Sequence, residues 1–178
     1  MSRAWFKLEE IQKCYKIFKY NMIVVDLGAA PGSWSKYAKK MVGTKGIVYS
    51  YDIKKINPIN GINFFKENIL NMNFIKKITN YIGFNNVQVV ISDLSPKISG
   101  IASIDIPKSI ELAKKVIKIC NSILKKKGTC IIKIFQGNGF KKFIKYINPM
   151  FKKIKIIKPY SSRTTSKEVY IIAINYNF

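Results

Sequence analysis

Short apolar runs rich in β-branched residues alternate along the chain with longer stretches in which apolar positions recur every three or four residues. The continuous runs predict strands buried on both faces, and the amphipathic stretches predict helices. Their regular alternation predicts a three-layer α/β fold around a mostly parallel sheet. The predicted strands cover residues 22–27, 46–52, 62–66, 87–93, 129–135, 153–158 and 169–175, and the predicted helices cover residues 4–18, 34–41, 74–81, 109–126 and 140–148.

The second half of the chain refines this fold prediction. The helix predicted over residues 109–126 carries a stripe of apolar side chains opposite its lysines. Pro107 stands where a first helical turn tolerates proline, and Gly128 is placed to stop the helix. Residues 159–167 are too few for a crossover helix, so they predict an antiparallel hairpin between the last two strands. We therefore expect a seven-stranded sheet in a single domain over residues 1–178.

The balance of charge is strongly basic, with 32 Lys and Arg against 9 Asp and Glu and a formal net charge of +23. Such a field attracts polyanions and makes their binding depend on salt. The alternative is a general compositional bias toward Lys, Ile and Asn. No apolar run approaches the roughly 20 residues that a membrane span needs, so we expect no membrane partner.

Histidine is absent and cysteine is sparse. Without histidine, Ser-His-Asp and Cys-His nucleophiles are excluded and most zinc sites lose a ligand, so we expect no metal. Any general base must then be Asp, Glu, Lys or Tyr. Cys14, Cys120 and Cys130 are odd in number and lack a CxxC spacing, which predicts free thiols in a reducing, intracellular compartment.

Several charged residues occupy unusual places in the predicted strands. Asp26, Asp52 and Asp93 each stand at the carboxyl end of a strand, which is the edge where open α/β sheets bind ligands, although Asp also serves in caps and turns. Lys133 lies among Ile and Phe, an odd setting for a charge in a central strand and an ordinary one in an edge strand. These four residues are therefore candidate site residues.

The connection after the first strand reads DLGAAPGSWS over residues 26–35. Its small residues allow a ligand to approach the backbone, and the helix that follows presents its amino terminus. The loop is not the GxGxxG dinucleotide fingerprint, because Gly28 and Gly32 are four apart and Pro31 lacks an amide donor. A pyrophosphate needs those amides more than an adenosine with an amino-acid tail does, which disfavours a nicotinamide oxidoreductase. Asp52 is placed to bind ribose hydroxyls.

This loop resembles the S-adenosylmethionine loop of the FtsJ/RrmJ-type large-subunit ribosomal RNA (uridine-2′-O-)-methyltransferase family. The resemblance continues over nearly the whole chain and implies a Rossmann-like methyltransferase fold. It is carried by SRAWFKL at residues 2–8, SDLSP at 92–96, DIP at 105–107, KIFQG at 133–137, SSR at 161–163 and SKEVY at 166–170.

The resemblance also implies site residues. The family's catalytic group corresponds to Lys7, Asp93, Lys133 and Glu168, with Lys133 acting as general base or as a group that steers the hydroxyl. One cofactor position departs from the family, because bacterial members carry Asp where this chain has Asn68, and we expect weaker binding there. The implied contacts to S-adenosyl-L-methionine are Asp26, Gly28, Gly32, Ser33, Trp34, Asp52, Asn68 and Asp93.

The implied substrate is a uridine in the A loop of large-subunit ribosomal RNA. A tRNA anticodon loop, or a non-catalytic RNA-binding scaffold, are the alternatives. The family implies a monomer that binds ribosomal RNA or the large ribosomal subunit, in the cytoplasm or in a mitochondrion-like organelle. Bacterial relatives carry a longer basic segment before SRAWFKL, so we expect an RNA-binding or targeting segment upstream of that motif.

Overall fold

The computed structural model describes residues 2–178 and contains a seven-stranded sheet in the order β3-β2-β1-β4-β5-β7-β6. Strands β1 to β5 run parallel, whereas β7 is antiparallel to both β5 and β6. The strands are β1 (Ile23–Leu27), β2 (Ile47–Asp52), β3 (Ile62–Lys66), β4 (Val87–Ser92), β5 (Leu124–Phe135), β6 (Phe151–Ile157) and β7 (Glu168–Tyr176). The helices are α1 (Arg3–Tyr15), α2 (Ser33–Val42), α3 (Phe74–Ile82), α4 (Ala102–Ile123) and α5 (Phe140–Ile147), followed by a 3-10 turn at Asn148–Met150.

Helices cover both faces of the sheet, which confirms the three-layer prediction. One apolar cluster packs α3, α4 and α5 against one face, and a second packs α1 and α2 against the other. Adjacent residues of one strand pack into different clusters, because their side chains point to opposite faces of the sheet. Ile131 and Ile132 of β5 are an example. Because both of its faces are buried, β5 is apolar at consecutive positions rather than at alternate ones.

Helix α4 differs from its prediction at both ends. It begins at Ala102, so Pro107 lies inside the helix rather than in its first turn. The carboxylate of Asp105 accepts hydrogen bonds from the backbone of Ser99 and Gly100, and this anchor fixes the start of the helix well before the proline. The helix ends at Ile123 rather than at Gly128, which lies within β5.

The last two strands form the predicted antiparallel hairpin, but β7 inserts between β5 and β6. Strand β5 therefore lies between β4 and β7, and Lys133 pairs across to Tyr170. This position excludes the edge-strand explanation for a lysine in that strand. No helix within residues 2–178 is long and apolar enough to cross a membrane.

Candidate active site

Three neighbouring strands and α1 bring the four predicted catalytic residues to one edge of the sheet. Asp93 follows β4 directly, Lys133 lies near the end of β5, and Glu168 begins β7. Parallel strands β4 and β5 end at the same edge, and β7 starts there because it runs the other way. Lys7 reaches this edge from α1, whose Leu8 and Ile11 are buried against the sheet.

The four charged groups form two ion pairs. The ammonium of Lys7 pairs with Glu168, and Lys133 Nζ lies 3.2 Å from Asp93 Oδ1. The side chains are 13% and 16% exposed in the first pair and 10% and 23% in the second. Each positive charge is thus compensated by a carboxylate in a largely water-free setting, where an unpaired charge would be costly.

Tyr170 connects the two ion pairs, and sequence reasoning assigned it no role. Its hydroxyl donates a 2.7 Å hydrogen bond to Asp93 Oδ1, and its ring lies 5.7 Å from Lys7 Nζ. Burial and the nearby Asp93 carboxylate raise the pKa of Tyr170, so it remains a neutral donor. The spacing along the sequence could have indicated it. Tyr170 lies two residues after Glu168, and residues two apart in a strand project from the same face.

Glu168 is held as a carboxylate. Burial raises its pKa, but the hydrogen bond and charge of Lys7, the charge of Lys133 and a hydrogen bond from Ser162 outweigh burial and lower it overall. The Ser162 hydroxyl donates to Oε1 at 3.1 Å. Glu168 therefore stays ionised, and able to pair with Lys7, as the pH falls to the ordinary glutamate pKa of 4.5, and it is protonated only below that value.

A cleft of about 630 Å³ opens beside the ion pairs. Lys7 and Glu168 lie in its wall, and Phe135 contributes an apolar surface. Both arginines of the chain, Arg3 and Arg163, also line it. Arginine offers a planar set of donors that suits carboxylate or phosphate, so the cleft is suited to an anionic ligand.

The loop after β1 is tied to the end of β2. The backbone amides of Gly28 and Ala29 donate to the carbonyl of Tyr51, at 2.8 and 3.1 Å. Asp52 accepts hydrogen bonds from the amides of Ala30 at 2.9 Å and Lys54 at 2.8 Å, one on each oxygen. A carboxylate has about four acceptor sites, so Asp52 is fixed in place and can still accept from a ligand's hydroxyl groups.

Two glycines of this loop are required by its shape. Gly28 and Gly32 have φ values of +85° and +107°, in the left-handed region that side chains disfavour. A Cβ at Gly28 would lie 2.4 Å from Leu94 Cδ2, and one at Gly32 would lie 2.6 Å from Ile59 Cδ1. Gly32 is also the residue that precedes α2, and it has no side chain with which to cap that helix. Both the backbone conformation of the loop and its packing against Leu94 and Ile59 therefore require glycine at these two positions.

Asp26 is fully buried beneath the loop. Its Oδ2 accepts a 2.5 Å hydrogen bond from Ser35, whose hydroxyl also lies 2.8 Å from that of Ser50. Its Oδ1 has no partner among the residues described. Burial raises the pKa of Asp26 to about 7; the Ser35 bond opposes this shift, and the charges of Asp93 and Asp52 add to it. The two serines were not predicted as site residues.

Three other predicted cofactor contacts have structural partners in the chain itself. Trp34 is buried, and its indole N–H donates to the carbonyl of Ala4 at 2.7 Å. Ser33 accepts a 2.7 Å hydrogen bond from Ser2. Both contacts fasten the start of α1 to α2. Asn68 is exposed, and its Oδ1 accepts from the amide of Leu70 at 2.9 Å. Cofactor contacts by these three residues stay a prediction.

The site fits a small ligand that carries positive charge and ribose hydroxyls. Asp26, Asp52 and Asp93 lie near enough for the last two to raise the pKa of the first. None of the ion pairs among residues 2–178 involves Asp26 or Asp52, and Asp26 Oδ1 has no hydrogen-bond donor. No group of His, Cys, Asp and Glu side chains in the described chain could hold a metal ion.

The sequence model of the FtsJ-like methyltransferase family matches residues 1–176. The chain belongs to this family. One curated relative is the ribosomal RNA large subunit methyltransferase E of Buchnera aphidicola subsp. Acyrthosiphon pisum (strain APS), which is 47% identical over 172 residues, 97% of this chain and 84% of the relative. A crystal structure described as a ribosomal RNA methyltransferase of Plasmodium falciparum matches with a TM-score of 0.86 at 26% identity, covering 98% of this chain and 97% of the other.

Membership of the FtsJ-like methyltransferase family confirms the resemblance drawn from the sequence motifs, and it makes this protein an enzyme that transfers methyl groups. The structural match agrees with the predicted fold, including the antiparallel strands at the end of the sheet. In this FtsJ-like methyltransferase, the paired lysines and carboxylates lie between the loop after β1 and the arginine-lined cleft.

Proposed function

We propose that the protein transfers the methyl group of S-adenosyl-L-methionine to a ribose 2′-hydroxyl of ribosomal RNA, as a monomer whose residues form one catalytic domain. The observation that carries the proposal is the pair of Lys–carboxylate ion pairs between two dissimilar binding regions. One region is the carboxylate-rich loop edge, which suits a cationic nucleoside. The other is the cleft with both arginines, which suits a phosphate backbone.

The residues of the loop edge would hold the cofactor. S-adenosyl-L-methionine, when bound, supplies a methyl group attached to a positively charged sulfur. Asp52 would accept from the ribose hydroxyls, as its fixed position after β2 allows. Asp26 and Asp93 would stabilise the positive charge. Asn68 would accept from the adenine amino group without the help of a negative charge.

The lysines would act on the substrate hydroxyl. Lys133 and Lys7 can each donate hydrogen bonds to a ribose oxygen. They would stabilise the negative charge that develops on it as its proton passes to solvent water and the methyl group is transferred from sulfur to oxygen. The Asp93 carboxylate, 3.2 Å away, attracts the ammonium of Lys133. A role as proton acceptor would therefore require that ion pair to be disrupted. The geometry favours Lys133 as the group that orients the hydroxyl, with Asp93 and Glu168 fixing the two lysines.

The large ribosomal subunit is the substrate we propose, with a uridine of its A loop as the modified nucleotide. The name of the Buchnera relative specifies large-subunit ribosomal RNA, and the motif resemblance implies the uridine. A net charge of +23 supports a polyanionic partner. On this proposal the protein works where large subunits are assembled, in a cytoplasm or an organelle, and needs no membrane partner.

The test is transfer of a labelled methyl group to unmethylated large subunits, free ribosomal RNA and tRNA offered in parallel. Lys133→Ala should lower the rate at least about 100-fold, because it removes a positioned charged group from the reacting oxygen. The matched control is Lys76→Ala, which removes an exposed lysine of α3 that lies in no ion pair within residues 2–178. Cofactor affinity, measured separately, should not change in Lys76→Ala and should not fall in Lys133→Ala, because loss of Lys133 leaves Asp93 free to face the cofactor's positive charge.

The outcomes distinguish the alternatives. Label at one ribose of the subunit that resists alkaline cleavage, present with Lys76→Ala and absent with Lys133→Ala, would support the proposal. Label confined to tRNA would support methyl transfer to a ribose but would identify tRNA, not ribosomal RNA, as the substrate. Cofactor binding without transfer to any RNA would favour the non-catalytic scaffold.

A further inference from the structure

A carboxylate on α1 binds the connection between β6 and β7, far from it in sequence. Glu10 Oε2 accepts from the backbone amide of Tyr160 at 2.7 Å, and Oε1 accepts from the amide of Ser161 at 3.1 Å. The hydroxyl of Ser161 also donates to Oε1. These contacts join residues 150 or more positions apart in the chain, and none of the sequence motifs pointed to Glu10.

The bound segment, residues 158–167, forms one wall of the cleft. Ser161, Arg163 and Lys167 line the cleft, and Ser162 donates to the catalytic-site Glu168. The segment has its own brace, because Lys158 Nζ donates to two carbonyls within it, at 2.8 and 2.6 Å. This brace shapes the segment but does not attach it to the rest of the molecule. The three hydrogen bonds to Glu10 tie it to the helix that carries Arg3 and Lys7, whereas the Ser162–Glu168 bond and the bond from the Gln136 amide to the Lys167 carbonyl tie it only to β7 and to the end of β5.

Glu10 uses its carboxylate differently from the other glutamates of α1 and β7. The chain has 32 Lys and Arg residues, yet no ion pair within residues 2–178 involves Glu10. Its negative charge is directed at neutral donors, which form stronger hydrogen bonds with a carboxylate than with an uncharged acceptor. The neighbouring Glu9 differs, since it pairs only with Lys13 one turn along the same helix, an arrangement that contributes little.

We propose that Glu10 is a positioning residue for the RNA substrate. By fixing segment 158–167 to α1, it holds Arg163 and Ser162 at a set distance from Arg3 and Lys7. Both walls of the cleft then move as one body, and the RNA backbone meets a preformed set of donors. Glu10 itself touches neither the reacting atoms nor the loop after β1. The inference rests on the proposed function, because it takes RNA as the occupant of the cleft.

The test compares Glu10→Ala, Glu10→Gln and Glu9→Ala as the matched control. Glu10→Ala should raise the KM and the Kd for large-subunit RNA about tenfold, which corresponds to loss of charge-assisted hydrogen bonds. Glu10→Gln keeps one acceptor oxygen and should fall between the alanine variant and the wild type, at about threefold. Glu9→Ala should stay within about twofold of the wild type. The affinity for S-adenosyl-L-methionine should be unchanged in all three variants.

Hydrogen exchange supplies a structural readout that does not need activity. The amides of Tyr160 and Ser161 should exchange faster in Glu10→Ala and keep their protection in Glu9→Ala. Equal RNA affinity in the two alanine variants would overturn the inference while leaving the methyl-transfer proposal intact. If the wild type methylates no RNA, the proposed function fails, and RNA binding by the same variants still decides the role of Glu10. Should Glu10→Ala not fold, the graded effect of Glu10→Gln decides it.

Discussion

The two halves of the proposed site, a catalytic side and a cofactor side, differ in how their charges are balanced. On the catalytic side, the two lysines and two carboxylates form two ion pairs that cancel within the protein. On the cofactor side, Asp26 and Asp52 are satisfied only by neutral hydroxyl and amide donors, and Asp26 Oδ1 has no donor at all within residues 2–178. The charges of the first group are balanced without a ligand, whereas no cation among residues 2–178 pairs with the carboxyl groups of the second.

This difference indicates what each half must do. A neutral substrate hydroxyl needs a site that is already organised, since its charge develops only during the reaction. A cationic cofactor can supply the missing counter-charge itself when it binds. The catalytic side should therefore respond mainly to changes in pairing, and the cofactor side mainly to changes in the ionisation of its carboxylates.

Reversal of one charge on the catalytic side should have the largest effect. Lys7→Glu places two carboxylates together in a site that is mostly buried, and we expect the free energy of unfolding to fall by about 3 kcal/mol. Methyl transfer should fall at least about 100-fold. Denaturant unfolding and labelled transfer to large subunits would measure the two effects.

The double variant Lys7→Glu, Glu168→Lys restores a pair with its direction reversed. It should recover most of the lost stability, since the charges again cancel. It should not recover methyl transfer, because the position that faces the substrate hydroxyl now carries a carboxylate. Recovery of both properties, or of neither, would show that charge pairing and catalysis at this position are not separable.

The cofactor side should respond to pH near neutrality. The pKa of Asp26 is about 7 against an ordinary value of 3.8, so its contribution to folding stability is complete below pH 3.8 and is lost as the pH rises through 7. A cationic ligand prefers the ionised carboxylate, so its affinity should change in the opposite direction. We expect the affinity for S-adenosyl-L-methionine to rise about tenfold from pH 6 to pH 8, as measured by calorimetry.

Asp26→Asn provides the control for this pH dependence. Asn does not ionise, so the affinity of the variant for S-adenosyl-L-methionine should be nearly constant from pH 6 to pH 8, whatever its absolute value. The chain has no histidine, which removes the side chain that ordinarily titrates in this interval. A pH dependence that persists in Asp26→Asn would assign the effect to another titrating group and would show that the ionisation of Asp26 does not control cofactor binding.

The smallest effect should come from Asn68, where the motif resemblance implies Asp. Asn68→Asp would add a negative charge at the proposed contact with adenine, and Oδ1 of Asn68 already has a hydrogen bond from the amide of Leu70. A charged acceptor strengthens a hydrogen bond from an amino group, so we expect S-adenosyl-L-methionine to bind about three- to fivefold more tightly. Equilibrium binding would measure this gain. Unchanged affinity would place Asn68 outside the cofactor contacts.

Sequence patterns predicted those parts of the molecule that depend on local burial or on compact motifs. All seven strands were predicted. Burial on both faces gives the central strands continuous apolar runs, among which Lys133 was conspicuous, whereas the edge strands β3 and β6 are only partly buried. The start of α4 was not predicted, because Asp105 anchors it through contacts with a preceding loop that override the signal of Pro107. Glu10 could not be predicted either, since its partners lie about 150 residues away.

The position of β7 has a consequence for the order of events during synthesis. β7 follows every other strand in the chain, yet it lies inside the sheet, between β5 and β6, and contributes both Glu168 and Tyr170. Until it emerges from the ribosome, β5 remains an open edge and Lys7 lacks its carboxylate. A nascent chain that has folded every earlier element therefore still lacks two residues of the proposed active site, and completion of that site coincides with closure of the sheet.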